Sequence, residues 1–313
     1  MKMKNKTDPL TSFLLMGLTF DPALQLFLFF MFLFMYAVTL IGNAIIMIVT
    51  KTNTQLGTPM YFFLRHLAFV DICLSSVTVP KLLANLLASQ EISKTIFGTF
   101  VGEEPALLTI MAYDRYVAIC HPLRYRLIMT WEACIQMAGA SWISTLIDAV
   151  LHTAFTSRLN FCDQNKIGQF FCDIPQLQKI SCSNAKVNQI LIFVIGISVA
   201  AFCFTLIIIS YGYIFSAVMK IPSDQGRYKA FSTCTPHLTV FSLFITTAAF
   251  SYMRPKSLSS PTIDLLSAIL YTVLPPVLNP IIYSLRNREI QKAIGKILRH
   301  AVSIPATIAA GIA

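Results

Sequence analysis

Hydrophobic positions come in long, nearly unbroken runs, without the alternation of half-buried strands or the narrow stripe of a soluble helix. The stretches Pro22–Thr50, Val187–Met219, Ala230–Met253 and Leu265–Leu285 carry no charged residue. About 20 such residues, rising 1.5 Å each, cross the ~30 Å hydrocarbon core of a bilayer. Leu67–Leu87 around Asp71 and Ala133–Ser157 around Asp148 join them if an internal polar residue is tolerated. A seventh segment is weaker, because Lys94, Glu103 and Glu104 leave only Pro105–Tyr113 uncharged ahead of Asp114. The pattern predicts an all-α membrane protein, with helices over 22–50, 59–87, 92–120, 133–157, 187–219, 229–253 and 263–286. Residues 1–21 form an outer tail and 300–313 an inner one. Between them, over 287–299, Ile290, Ile294, Ile297 and Leu298 share one helical face and Arg288, Lys292, Lys296 and Arg299 the other. That stretch predicts an amphipathic helix on the inner membrane surface.

Composition agrees with the pattern. The chain is 56% hydrophobic and only 12% charged, where soluble domains average about 25% charged. A net charge of +10 would suggest nucleic-acid binding in a soluble protein; here the lysines and arginines flank helices, and no nucleic-acid partner is expected. With the N-terminus outside, twelve of the 24 Lys and Arg fall on the inner side and eleven on the outer, with Arg65 left inside a helix. So even a split gives the positive-inside rule little to decide. Asn5-Lys6-Thr7, a glycosylation sequon that works only in the lumen, favours an outer N-terminus. The apolar run after the first residues has no small-residue cleavage site, so the first helix is expected to act as the insertion signal.

Several polar residues stand where they are costly. Asp114 and Arg115 are adjacent at the end of an apolar run, as in a self-paired group near the membrane–water boundary. Asp71 lies in mid-membrane, which is a functional-site hypothesis by default. Asn43 is expected to hydrogen-bond a neighbouring helix as packing glue, worth roughly 0.6 kcal/mol. Asp148 should face the bundle, and Pro280 removes a backbone hydrogen bond and kinks its helix. His66, His152 and His237 stand alone, with no nucleophile or metal ligand beside them, which argues against an intramembrane enzyme. No internal repeat or pair of broken helices supports a transporter.

Five motifs carry a resemblance. They are Pro59-Met60-Tyr61-Phe62-Phe63-Leu64, Met111-Ala112-Tyr113-Asp114-Arg115-Tyr116-Val117-Ala118-Ile119-Cys120, and Lys229-Ala230-Phe231-Ser232-Thr233-Cys234-Thr235-Pro236-His237-Leu238. With them go Asn279-Pro280-Ile281-Ile282-Tyr283 and a loop bearing Cys162, Cys172 and Cys182 at ten-residue spacing. In kind and order these resemble the tetrapod olfactory receptors, rhodopsin-like members of the G-protein-coupled receptors, over about residues 5–299.

The resemblance implies a seven-helix bundle with its N-terminus outside, in the plasma membrane, binding a small, mostly apolar volatile odorant and activating a stimulatory heterotrimeric G protein that raises cyclic AMP. It puts the ligand among Val101, Ile192, Ile195, Gly196, Val199, Ile245, Ala248, Ala249, Tyr252, Ile269 and Thr272. It gives activation and coupling to Asp114, Arg115, Tyr116, Tyr211, Asn279, Pro280 and Tyr283. Asp71 and Glu104 become a sodium-ion or proton site; no other cofactor and no structural metal are implied. Cys162 pairs with Cys182, and Asn5 carries a glycan. Membrane lipid is the remaining partner.

One region departs from the family. Its members carry a Cys near the outer end of helix three, whereas no Cys lies between Cys73 and Cys120 here. About eight residues are missing before Glu104, roughly 12 Å of helix. Cys172 then has no partner and remains a free thiol. The alternative expectation is therefore a receptor remnant that does not signal and is retained in the endoplasmic reticulum.

Overall fold

A computed structural model describes residues 14–15, 22–87, 97–157, 166–167, 186–252, 261–296 and 299. Seven long helices dominate the described residues: α1 (Pro22–Thr52), α2 (Pro59–Leu87), α3 (Phe97–Cys120), α4 (Trp131–Ser157), α5 (Lys186–Met219), α6 (Asp224–Tyr252) and α7 (Pro261–Arg286). Residues 288–296 continue as α8. Apart from a two-residue parallel pairing of Leu14–Leu15 with Lys166–Ile167, the fold of the described residues is all-helical. Five helical stretches among them are long and apolar enough to cross a membrane: Pro22–Thr52, Pro59–Ala84, Trp131–Leu151, Val194–Met219 and Asp224–Ser251. α3, with Glu103, Glu104, Asp114 and Arg115, is not one of these.

α3 is the hub, packing against α2, α4, α5 and α6, while α7 closes the other side against α1, α2 and α6. Helix ends are set by local chemistry. Pro59 opens α2, where a missing N–H costs nothing. Thr130 caps α4 by accepting the Ala133 N–H, and Ser223 accepts the Gly226 N–H at the head of α6. The Ser223 cap and the Asp224–Arg227 pair in the first turn start α6 at Asp224, five residues before the expected Lys229.

The α1–α7 contact depends on two neighbouring residues. Because Pro280 has no N–H, the carbonyl of Pro276 loses its helical donor. Asn43 Nδ2 supplies one from α1 at 3.1 Å. A Cβ at Gly42 would stand 3.0 Å from Pro280 Cβ and Cγ, so a larger residue there would push α1 and α7 apart by a few tenths of an ångström. Arg65 of α2 donates from Nη2 to the Thr50 carbonyl at 2.6 Å and satisfies the end of α1.

Asn287 caps α8 through the N–H groups of Glu289 and Ile290, and the Tyr61 hydroxyl from the base of α2 donates to Glu289 Oε2 at 2.7 Å. The charged edge of α8 is exposed. On its apolar edge Ile290 and Ala293 are buried in the main core of the bundle, with Ile294 packed against it. Ile297 and Leu298 lie outside the described residues.

Candidate functional site

Two polar assemblies occupy the interior, and α3 contributes to both. At its C-terminal end Asp114 is fully buried. Its Oδ2 accepts from Arg115 Nη2 at 2.7 Å and Nε at 3.1 Å, and its Oδ1 accepts from the Tyr125 hydroxyl at 2.7 Å. Tyr125 sits on a single helical turn, Tyr125–Ile128, after Pro122 redirects the chain. Burial, then the Asp114 negative charge, push the Tyr125 phenol above its ordinary range. The arrangement is a clamp: one carboxylate holds the Arg115 guanidinium against its own helix and ties the following loop to it. Tyr116 is half-buried, its hydroxyl 3.1 Å from His121 Nε2 and its ring against Tyr213 of α5.

Nearly two turns back along α3, His237 of α6 joins three helices. Its Nε2 lies 2.9 Å from the Leu108 carbonyl of α3, which can only accept, so Nε2 carries the hydrogen. Nδ1 then accepts from the Tyr211 hydroxyl of α5 at 2.7 Å. His237 does not stand alone as its sequence neighbours imply, because its partners lie 26 and 129 residues away in the chain.

The second assembly lies between α2, α3 and α7. Asn279 Nδ2 donates to Asp71 Oδ2 at 3.0 Å and Oδ1 at 3.3 Å, and Glu104 faces the same amide. Asp71, Glu104, Asn279 and Tyr283 are all buried. Glu104 Oε1, Asn279 Oδ1 and the Tyr283 hydroxyl make no hydrogen bond among the described residues. Two carboxyl groups and an amide oxygen make an oxygen-only set, the chemistry that suits a hard cation or a shared proton. Among the described residues no group of three or more His, Cys, Asp or Glu could hold a metal.

The sequence-predicted ligand residues disperse. Val101, Ile245 and Ala248 are half-buried against the main core, and Ala249 is half-buried nearby in sequence. Ile195 and Gly196 are half-buried on α5, but Val199 is 48% exposed and faces outward. The inward line of α5 continues through Cys203, Ile207, Tyr211, Ile214 and Val218. Ile269 packs with Phe32, Val79, Leu82 and Val273, on the α1–α2 side of α7. Thr272 is buried. The side chains of Ile192 and Tyr252, and all of Asn5, Cys162, Cys172 and Cys182, lie outside the described residues.

Against this geometry, a family model described as olfactory receptor matches residues 32–301. The chain belongs to the olfactory receptor family. It is 46% identical over 306 residues to olfactory receptor 1G1 of gorilla, covering 95% of this chain and 97% of that one. Human olfactory receptor 5I1 is 44% identical over 300 residues, covering 93% and 96%. The dog olfactory receptor-like protein OLF1 is 42% identical over 298 residues, covering 92% and 96%. The chain is thus a membrane receptor of the G-protein-coupled class, concerned with odorant detection, and not an enzyme.

Proposed function

We propose that this olfactory receptor crosses the plasma membrane seven times with its N-terminus outside, binds a small, mostly apolar volatile between α3, α5, α6 and α7, and activates a stimulatory G protein that raises cyclic AMP. The observation that carries this reading is the closed Asp114–Arg115–Tyr125 clamp beside the His237 bridge. Outward movement of α6 would break the bond from His237 to the Leu108 carbonyl and open the floor of the bundle beside Arg115. An odorant that favours the opened arrangement shifts the population toward it in proportion to its differential affinity. The half-buried pocket candidates Val101, Ile195, Gly196, Ile245, Ala248 and Ala249 are apolar, so recognition rests on burial and dispersion, with Tyr252 or Thr272 giving direction.

Asp71, Glu104 and Asn279 would hold a sodium ion or proton in the closed arrangement, with Pro280 and Tyr283 transmitting its release to α7. Cys162–Cys182 is the proposed outer disulfide, Cys172 a free thiol, Asn5 a glycosylation site, and inner-leaflet lipid the partner of the basic edge of α8. The missing Cys between Cys73 and Cys120 supports a second reading, a receptor that folds poorly, stays in the endoplasmic reticulum and does not signal.

The test is a cyclic AMP reporter in cells expressing the chain, screened with volatile odorants beside Arg115→Gln. The receptor reading expects a concentration-dependent rise with at least one odorant, lost in Arg115→Gln at equal surface labelling. A chain that fails to label at the surface and answers no odorant across a chemically broad panel would favour the second reading.

A further inference from the structure

Glu103 is used by neither assembly, and it is fully buried. Its Oε1 accepts from the Ser141 hydroxyl at 2.6 Å and its Oε2 from the Thr145 hydroxyl at 2.9 Å, both from α4. No cation pairs with it among the described residues. The packing around the group is close: a Cβ at Gly102 would stand 3.5 Å from Thr145 Cγ2, and the Trp142 ring meets Phe100 edge-on at 6.2 Å between centroids. Successive residues of a helix point about 100° apart. Glu103 and Glu104 therefore leave α3 in different directions, one into α4 and the other toward Asn279 and Asp71.

We propose that Glu103, Ser141 and Thr145 form a buried carboxyl–hydroxyl latch that fixes the rotation of α3 on α4 and so aims Glu104 at Asn279. Glu103 is a positioning residue. A rotation of α3 that withdrew it from the two hydroxyls would swing Glu104 off Asn279 by the same angle. The latch needs neither bound odorant nor signalling.

The partners differ in what they lose when parted. Without Glu103 the hydroxyls keep local acceptors, the Ala138 carbonyl at 2.8 Å from Ser141 and the Ser141 carbonyl at 3.0 Å from Thr145. Without the hydroxyls a buried carboxyl group has no partner at all, the costlier state. Removing the hydroxyls should therefore hurt more than removing the carboxyl, and removing everything should restore most of the loss.

The experiment is thermal unfolding of the purified full-length receptor in lipid nanodiscs, followed by a thiol-reactive dye that reports exposure of the buried Cys134 and Cys234. S141A/T145V is expected to melt about 5 °C below the parent and E103L about 2 °C below. E103L/S141A/T145V should fall near E103L alone. E103Q, whose amide both donates and accepts, should stay near the parent, a rescue that side-chain volume alone does not provide because Leu also fills the site. Additive losses in the triple variant, an E103L loss as large as that of S141A/T145V, or an E103Q loss equal to that of E103L would overturn the latch.

Discussion

α3 and α5 pack along each other yet are built on opposite plans. α3 carries four charged residues and buries Glu103, Glu104 and Asp114 completely or nearly so. α5 is an almost continuous apolar rod whose Val194, Ile197, Phe202, Ile208 and Ile209 are exposed, with Ile207, Ile214 and Val218 buried. In water that distribution would be inverted. In a bilayer, lipid is as apolar as leucine, so apolar residues gain little by turning inward while polar ones must find partners there. The polar helix forms the centre and the apolar helix the rim.

Substitutions on the two helices sharpen that contrast, and the largest effect belongs to α3. Asp114→Ala deprives Arg115 and Tyr125 of their shared acceptor and is expected to cost about 3–5 kcal/mol, read by thermal unfolding in nanodiscs. A loss below ~1 kcal/mol would mean that the clamp is not structural. Next comes the α5 pair Ile207 and Ile208, neighbours at 1% and 51% exposure. Ile207→Ala should cost about 2–3 kcal/mol, and equal effects at the two positions would refute the inward line drawn through α5.

Tyr125→Phe removes one hydrogen bond to a charged acceptor and should cost about 1.5 kcal/mol. The sign of its pH dependence follows from the raised phenol. Its contribution is fully present below the ordinary Tyr value near ~10 and is lost only as pH climbs beyond that toward the folded-state value. Between about pH 5 and 9 the difference between Tyr125→Phe and the parent should not change; a difference that fades within that window would show another group titrating at the clamp. The smallest effect is Ile208→Ala, within about 0.5 kcal/mol, since its side chain meets lipid in either form.

Legibility in the sequence follows the same division. The long apolar runs were readable because uncharged length is a one-dimensional property, and the Asp114–Arg115 self-pair because its members are adjacent. Asn43 was readable as interhelical glue, though its acceptor, the carbonyl freed by Pro280, became visible only with α1 against α7. Long-range partners were not readable. Glu103 looked like a charge that weakens helix three, since Ser141 and Thr145 lie 38 and 42 residues away. His237 looked isolated for the same reason. Val199, expected beside Ile195 and Gly196, is 48% exposed, because a helix apolar all round carries no periodic signal to choose a face. Small polar residues at i, i+4 spacing on a neighbouring apolar segment, such as Ser141 and Thr145, are the one signal that could have found the partner of Glu103.

The central claim, that this chain is a folded receptor with its N-terminus outside despite the absent Cys, is tested most directly by antibody labelling of an N-terminal epitope on unpermeabilised cells. The comparison is a variant whose helix three is lengthened by about eight residues and given a Cys. The account predicts surface labelling of the natural chain comparable to that of the lengthened one. Labelling of the natural chain only after permeabilisation, with the lengthened chain at the surface, would contradict it.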